Sequence, residues 1–225
     1  EMIKGRGAQL NTANRFLKHE LVTEHIEGLD EELQLNKTTQ YLNEFPRKII
    51  NEVKSPDLNF GFSMNPYQGC EHGCIYCYAR NTHAYWGLSP GIDFETKILI
   101  KPEAPKLLEA ELMKKSWQPA PIMLSGNTDC YQPAERKFKI TRQLLEVALK
   151  FRNPVGMITK NKLILRDMDL LKQLAELNLV HVMISITSLD EDLRLNLEPR
   201  TATAKNRLEV VQTLNANGIP AGVMV

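Results

Sequence analysis

The stretch Gly69-Cys-Glu-His-Gly-Cys-Ile-Tyr-Cys-Tyr78 carries three cysteines, Cys70, Cys74 and Cys77, in the spacing C-x3-C-x2-C. Bacterial ferredoxins use the run C-x2-C-x2-C with a further cysteine, so that protein thiolates bind every iron of their clusters. Here no fourth cysteine lies within the loop. Three thiolates can bind three irons of a [4Fe-4S] cubane and leave the fourth iron open. An open iron can bind a small molecule, so the spacing indicates chemistry at the cluster rather than simple electron transfer.

Other uses of these cysteines are weaker interpretations. A structural zinc site would need a fourth nitrogen or sulfur ligand, and His72 or Cys130 could supply it. However, His72 lies between two of the cysteines, too close in the loop for easy closure around one ion. A disulfide framework is less consistent still, because three of the four cysteines crowd into one short loop. This pattern is typical of a reduced intracellular metal site.

Composition limits the classes of function. The chain has 225 residues, of which 43% are hydrophobic, and carries 28 Lys and Arg against 27 Asp and Glu. This balance gives no basic signature of a nucleic-acid-binding protein, although it leaves room for a local basic patch. No apolar run is long enough to span a bilayer, and residues 1–7 contain no hydrophobic signal core. We therefore expect a cytoplasmic protein with no membrane contact.

The end of the chain is unusual. Residues 219–225 form an apolar, strand-like run with no turn or cap after it. Because natural sheet edges are usually protected from aggregation, we interpret the sequence as a partial chain. Residues 1–60 are polar, mixed in charge and without clear periodicity, which predicts a mostly irregular N-terminal extension.

From residue 61 onward, short apolar runs alternate with amphipathic helical patterns, which is typical of repeated βα units. The predicted strands are 62–66, 97–100, 122–125, 155–159, 182–186 and 221–225. The predicted helices are 77–87, 103–115, 137–151, 167–178 and 201–217. We expect Asp167 to cap the fourth helix and Gly218 to end the last one in a left-handed conformation.

The predicted fold class is therefore α/β. Six parallel strands joined by right-handed crossovers predict a partial (β/α)6 barrel of the TIM type, covering residues 61–225. In such barrels the active site forms at the carboxyl ends of the strands. The cysteine loop follows the first predicted strand at that end, and the residues after the third to fifth strands are polar. We expect all of them to converge on one site.

The sequence resembles the radical S-adenosylmethionine (SAM) superfamily. Within it, the resemblance is to the branch containing spore photoproduct lyase and its uncharacterised bacterial relatives, often described as DNA-repair-photolyase-like. It covers roughly residues 60–225 and extends beyond the cysteines. The segments that carry it are Tyr76-Cys-Tyr78, Thr128-Asp129, Thr159-Lys160, Ser185-Ile-Thr-Ser188 and Glu198-Pro-Arg-Thr-Ala-Thr-Ala204.

This resemblance implies a mechanism and cofactors. Cys70, Cys74 and Cys77 would hold a [4Fe-4S] cluster whose open iron binds SAM. An electron from a reductant such as flavodoxin or ferredoxin would then split SAM to a 5′-deoxyadenosyl radical, which abstracts hydrogen from a substrate. The resemblance leaves that substrate open, and a nucleic acid is one candidate class that the charge balance does not support.

The predicted cofactor-binding residues lie in four places. Tyr76 would contact the adenine of SAM, and Lys160 and Ser185 would contact its carboxylate. Thr187 lies on the same strand face as Ser185. A small polar loop after the third strand could approach SAM closely, and it consists of Ser125, Gly126, Asn127, Thr128 and Asp129.

Plainer interpretations of the same residues stay open. The loop could be an ordinary turn, Lys160 a solvated side chain, and the two hydroxyls could bond only to nearby backbone groups. Non-catalytic alternatives for the whole chain also remain. These are an iron–sulfur or zinc protein that acts as an electron carrier or a scaffold.

One departure from the lyase matters for catalysis. The lyase carries its hydrogen-donating cysteine two residues before a serine that Thr128 matches, and this chain has Gly126 in that place. Cys130 is the only cysteine outside the loop, so it is our candidate for a displaced catalytic hydrogen donor. The alternative is a small buried side chain with no chemical role.

Overall fold

The computed structural model describes residues 3, 5–16, 38–55 and 61–225. Nine strands and seven α-helices form in these ranges. The strands are β1 (Gln40–Asn43), β2 (Ile50–Glu52), β3 (Phe62–Met64), β4 (Tyr67–Gln68), β5 (Lys97–Ile100), β6 (Ile122–Leu124), β7 (Val155–Thr159), β8 (Val180–Ser185) and β9 (Ala221–Met224). The helices are α1 (Asp93–Thr96), α2 (Ala104–Leu112), α3 (Glu135–Phe138), α4 (Ile140–Phe151), α5 (Met168–Glu176), α6 (Glu191–Leu197) and α7 (Ala204–Ala216).

The main sheet has six strands in the order β2-β3-β6-β7-β8-β9. The strands from β3 to β9 in this order run parallel, and β2 pairs antiparallel at one edge. Helices α4, α5 and α7 connect the successive strands from β6 to β9. The predicted α/β class with parallel strands is therefore confirmed.

Burial of apolar helix faces holds the helices against this sheet. Leu144 and Leu145 of α4 are fully buried, as are Leu171 and Leu174 of α5. Their spacing places them on one face of each helix. Strand β7 alternates buried and half-buried residues along its length. The helices and the main sheet therefore pack as layers, and the parallel strands of the sheet place their carboxyl ends at one edge.

The second predicted strand, 97–100, forms as β5 but does not join the main sheet. It pairs parallel with β1 and antiparallel with β4 in a separate three-stranded sheet. The expected row of six neighbouring parallel strands is wrong at this position, because β3 pairs directly with β6. Pro66, which has no backbone N–H, separates β3 from β4 and marks the point where the chain changes sheets.

Two strands come from the predicted N-terminal extension. β1 pairs with β5 over four residues, and β2 pairs with β3 over three. The described part of the extension is thus joined to both sheets by backbone hydrogen bonds. Much of the extension, residues 17–37, lies outside the described residues, so the boundary at residue 60 stays a prediction.

All five predicted helical regions are helical, with local differences. The region 77–87 is a 3₁₀ helix, Tyr78–Trp86, and α6 was not predicted. Gly218 has a φ of 75° after α7, as expected. The prediction for Asp167 is wrong, because its side chain makes no cap hydrogen bond. Its carboxylate instead binds Arg142 and Arg166, two charged donors that outcompete a backbone N–H.

None of the helices in the described ranges has the length and apolar character needed to cross a membrane.

Candidate functional site at the carboxyl edge of the main sheet

A cavity of about 310 Å³ opens at the carboxyl edge of the main sheet, beside the cysteine loop. Its walls come from that loop and from residues at or after the ends of β6, β7, β8 and β9. The residues that line it are Cys70, His72, Cys74, Tyr76, Cys77, Tyr78, Ser125, Asn127, Thr128, Asp129, Ile158, Thr159, Lys160, Ser185, Thr187, Met224 and Val225. The predicted convergence of strand ends and cysteine loop is therefore observed.

Two glycines let the cysteine loop fold tightly against its neighbours. Gly69 and Gly73 have φ values of 79° and 70°, a region that side chains rarely adopt. A Cβ at Gly69 would lie 2.9 Å from the carbonyl oxygen of Phe94, and one at Gly73 would lie 2.9 Å from Oε2 of Glu95. The loop therefore requires glycine at both positions for steric reasons as well as for φ.

A buried ion pair supports the middle of the loop. Arg80 donates to the carbonyl oxygen of Cys74 from Nε (3.0 Å) and Nη2 (2.8 Å), and its Nη2 lies 2.5 Å from Oε1 of Glu95. Glu95 is fully buried. Its carboxylate also accepts the backbone N–H groups of Gly7 (3.1 Å) and Ala8 (2.8 Å). One carboxylate thus connects the cysteine loop to the start of the chain.

The end of α6 and the segment after it also hold the loop. The backbone N–H of Ile75 donates to the carbonyl of Leu197 (3.0 Å), and that of Arg200 donates to the carbonyl of His72 (3.2 Å). The cysteine loop is therefore clamped between two segments that are distant in sequence. Such double support fixes the backbone that carries the cysteines.

The three cysteines face the cavity as free thiols. Cys70 and Cys74 are buried, Cys77 is half-buried, and none of the four cysteines, all in described parts of the chain, forms a disulfide. Burial raises the pKa of Cys70 well above its usual value and that of Cys74 to about 12. Iron or zinc binding would release these protons, because thiolates are the ligands that metals bind.

The donor set fits a cluster better than a single ion. Three sulfur ligands in one short loop are what an iron–sulfur cluster uses. Across the described ranges, no three His, Cys, Asp or Glu side chains are arranged to share one metal ion. This does not bear on a cubane, in which each thiolate binds a different iron.

Asp129 is held in place by hydrogen bonds within the protein. Its carboxylate accepts from Thr159 Oγ1 (2.8 Å), from the backbone N–H of Lys160 (2.8 Å) and from that of Tyr131 (2.8 Å). His72 Nδ1 lies 3.3 Å from Oδ2. Burial alone would raise the pKa of Asp129, but His72 and the backbone donors lower it below its usual value. Asp129 lines the cavity, and most of its acceptor capacity is already used.

The rest of the loop after β6 is also ordered by specific contacts. Ser125 adopts a φ of 68°, and Thr128 donates its hydroxyl to the carbonyl of Tyr67 (2.7 Å). Asn127 donates its side-chain amide to Gln68 Oε1 (3.0 Å). Gly126 does not line the cavity, but its carbonyl accepts the hydroxyl of Tyr78 (2.8 Å). The roles of these residues toward SAM stay predictions.

Lys160 extends into the cavity wall at the end of β7. Its Nζ donates to Ser185 Oγ (2.5 Å) and lies 3.0 Å from Glu198 Oε1 and 5.7 Å from the centre of the Tyr76 ring. Lys160 is therefore not a freely solvated lysine, since only 17% of its side chain is exposed. An ammonium has three donors, so one is left for a ligand in the cavity.

Sequence reasoning missed the role of Glu198 and Arg207 at this site. Glu198 is fully buried, and its Oε1 accepts from the hydroxyls of Tyr76 and Thr187 (2.9 Å for Thr187). Arg207 Nη2 lies 2.7 Å from its Oε2. Burial would raise the pKa of Glu198, but Tyr76, Lys160 and Arg207 lower it to about 2. The resemblance included Glu198-Pro-Arg, yet no local pattern indicates that this segment returns to the cavity.

Cys130, the predicted hydrogen donor, is fully buried and is not among the cavity-lining residues. Its backbone N–H donates to Ser125 Oγ (2.8 Å), and its carbonyl accepts from Thr141 Oγ1 (2.6 Å). Burial raises the pKa of its thiol well above the usual value. These contacts place the residue behind the cavity wall, and its catalytic role stays an untested prediction.

Comparison with known protein families shows to which family the chain belongs. The model of the radical SAM superfamily matches residues 64–225, which include the cysteine loop and all the cavity-lining segments. The chain belongs to the radical SAM superfamily of enzymes. Membership implies a [4Fe-4S] cluster and SAM, and the three loop cysteines beside the cavity fit that requirement.

Its curated relatives are uncharacterized proteins. One from Mycobacterium tuberculosis (strain H37Rv) is 34% identical over 180 residues, which are 80% of this chain and 53% of the relative. Another, from Methanocaldococcus jannaschii, is 30% identical over 190 residues, covering 82% of this chain and 66% of the relative. The radical SAM chain described here therefore spans about half to two thirds of the length of these relatives.

Solved structures with a similar fold are spore photoproduct lyases. One in complex with a dinucleoside spore photoproduct superposes with a TM-score of 0.63 at 14% identity, over 89% of this chain and 56% of the lyase. A mutant lyase with bound AdoMet and the same kind of ligand gives a TM-score of 0.64 at 14% identity over the same shares. These similarities concern the fold.

Proposed function

We propose that this chain is the core of a radical SAM enzyme that cleaves SAM and abstracts hydrogen from a substrate. The observation that carries the proposal is the cavity shared by the cysteine loop and the ends of β6 to β9. Cys70, Cys74 and Cys77 would hold the [4Fe-4S] cluster. When bound, the cluster supplies the electron that splits SAM into methionine and a 5′-deoxyadenosyl radical.

In this proposal, the other residues bind and orient SAM. Lys160 uses its remaining N–H donor for the SAM carboxylate, next to Ser185, in a charge-assisted hydrogen bond. Tyr76 presents its ring to the adenine. The loop after β6 lies close to the ligand, and Asn127 and Thr128 face the cavity. Largely apolar walls with a few fixed polar groups are typical of cofactor cavities.

We further propose a partial barrel as the architecture of the core. The five parallel strands of the main sheet would form its wall, and the sheet containing β4 and β5 would cover one side. Residues 1–60 would be an extension attached by β1 and β2. We also propose that the enzyme works in the cytoplasm with a reductant such as flavodoxin or ferredoxin, because three cysteines in one short loop are typical of a metal site rather than a disulfide framework.

The lyase reaction itself is not part of this proposal. Some of the solved neighbours are lyases bound to a dinucleoside photoproduct, but by the resemblance this chain has Gly126 where the lyase has its hydrogen-donating cysteine. The net charge of +1 gives no support to a nucleic-acid substrate either. The proposal therefore specifies hydrogen abstraction and leaves the substrate class open.

Reconstitution tests the proposed function directly. We expect the anaerobic protein, loaded with iron and sulfide and then reduced, to show a cubane signal in electron paramagnetic resonance (EPR). We also expect SAM to change this signal, because it binds the open iron, and 5′-deoxyadenosine to form. A cubane that ignores SAM would support the electron-carrier alternative, and a protein that binds zinc instead of a cubane would support the structural-metal alternative.

Replacing Lys160 by methionine should weaken SAM binding. The substitution keeps most of the length of the side chain but removes the charged amino group that pairs with the SAM carboxylate. We expect the dissociation constant for SAM to rise about 10- to 100-fold, as for the loss of a charge-assisted hydrogen bond. Titration of the SAM-dependent EPR change measures it.

The control for this measurement is Lys150→Met. Lys150 is an exposed lysine that pairs with Glu109 on the helical surface, away from the cavity. This variant should bind SAM as the unchanged protein does. Equal SAM affinities for Lys160→Met and the unchanged protein would contradict the assignment of Lys160.

A further inference from the structure

The Glu198 carboxylate is the point on which several cavity residues converge. Its Oε1 accepts from Tyr76, from Thr187 and from the ammonium of Lys160. All three donors line the cavity, whereas Glu198 itself does not. Glu198 follows α6 and belongs to none of the strand ends that build the cavity walls. Glu198 therefore contacts the cavity-lining side chains without lining the cavity itself.

Arg207 fixes the position of this carboxylate. Its Nη2 lies 2.7 Å from Glu198 Oε2, its Nη1 donates to the carbonyl of Ser185 (2.7 Å), and its Nε donates to that of Ala202 (2.8 Å). Arg207 is fully buried. Because every one of these donors has a partner, the guanidinium holds Glu198 and the end of β8 in one fixed relation.

A carboxylate is the only common side-chain group that satisfies this arrangement. Oε1 meets donors from Tyr76, Thr187 and Lys160, and Oε2 meets donors from Arg207 and from Thr201 (3.4 Å). An amide has an acceptor on one side and donors on the other. With glutamine at position 198, one of the two sets of donors must face an N–H group.

The charges at this position also match an anionic ligand group. Lys160 and Arg207 are cations and Glu198 is the anion between them. Of the three charged groups, Lys160 is the one that reaches the cavity. Its ammonium would attract a ligand carboxylate.

We propose that Glu198, held by Arg207, is a positioning residue that aligns Lys160 and Tyr76 for SAM. The inference rests on the proposed function and deepens it. Glu198 would not touch SAM. It would fix the direction of the remaining Lys160 donor and the orientation of the Tyr76 ring, and so lower the cost of ordering these side chains when SAM binds.

The test is a double-mutant cycle read by SAM affinity rather than by turnover. In Glu198→Gln we expect the amide oxygen to turn toward the buried Arg207 and its NH2 group toward Lys160, which displaces the ammonium. We expect SAM to bind about tenfold more weakly, as is typical when a supporting partner of a binding group is lost. The cluster signal recorded without SAM should be unchanged.

The same substitution in a Lys160→Met protein decides whether Glu198 acts through Lys160. Two residues in one network are not additive, so Glu198→Gln should then weaken SAM binding by less than about threefold. A full further tenfold loss in the Lys160→Met protein would overturn the inference. So would an unchanged SAM affinity in Glu198→Gln alone.

Glu135→Gln is the matched control for a general loss of stability. Glu135 is also fully buried and also pairs with a tyrosine, Tyr67, and an arginine, Arg166, but neither of these partners lines the cavity. Its variant should lower the melting temperature as Glu198→Gln does and keep SAM affinity. Equal losses of SAM affinity in both variants would assign the effect to folding and overturn the inference. If the unchanged protein forms a cubane that ignores SAM, the proposed function itself fails, an outcome separate from these.

Discussion

Cys74→Ala is expected to remove both the cluster and all SAM cleavage. Two thiolates cannot hold three irons of a cubane, and no other cysteine lines the cavity. Cys74 is also the cysteine whose carbonyl is held by Arg80, so a replacement ligand could not easily reach its place. We expect iron and sulfide content to fall to background after anaerobic reconstitution. The 5′-deoxyadenosine assay should fall below detection, at least about 10³-fold, since the cofactor carries the chemistry.

Cys130→Ala is the control for this experiment. Cys130 is buried and does not line the cavity, and its backbone donates to Ser125 Oγ and accepts from Thr141 Oγ1. The variant should keep the cluster and should still form 5′-deoxyadenosine. Continued deoxyadenosine formation by the Cys74→Ala protein would contradict the assignment of the cluster ligands.

Glu95→Gln should cause the largest loss of stability among single substitutions near the loop. It would leave the Arg80 guanidinium, whose side chain is 13% exposed, without its negative partner. Removing one partner of a buried ion pair typically costs about 3–5 kcal/mol. The backbone N–H groups of Gly7 and Ala8 would also have to share a weaker acceptor. Urea denaturation of the cluster-free protein measures the change in the free energy of unfolding.

Glu103→Gln provides the comparison for an exposed pair. Glu103 lies 2.8 Å from Lys106 on the surface, with 43% and 77% of the two side chains exposed. Its loss should cost less than about 1 kcal/mol, because solvent screens such pairs. We also expect the loaded Glu95→Gln protein to release iron to a chelator faster than Glu103→Gln. Similar unfolding free energies for the two variants would show that Glu95 does not organise the loop.

The sequence predicted those features of the fold that depend on local patterns. The cysteine spacing identified the loop, and the alternation of apolar runs identified the parallel strands and their connecting helices. Because the carboxyl ends of parallel strands share one edge, the positions of Lys160 and Ser185 at one cavity also followed. No knowledge of distant contacts was needed for these predictions.

Other features depend on contacts that no local pattern encodes. The apolar pattern of residues 97–100 is compatible with a strand in either sheet. The pairing of this strand with β1 and β4 determines that it belongs to the three-stranded sheet. Glu198 and Arg207 look like ordinary charged residues near helices, and their burial together depends on the path of the chain after α6. The cap predicted at Asp167 failed because two arginines, one of them far along the chain, compete for its carboxylate.

The clamping of the cysteine loop has a consequence for biosynthesis. Gly7, near the start of the chain, packs on Gly73, while the N–H of Arg200 reaches His72 from the other side. A ribosome delivers these segments in order, with the cysteines emerging long before Arg200. During translation the cysteines therefore emerge before the residues that support one part of their loop. The cysteine loop therefore gains its full set of backbone contacts only after Arg200 has left the ribosome.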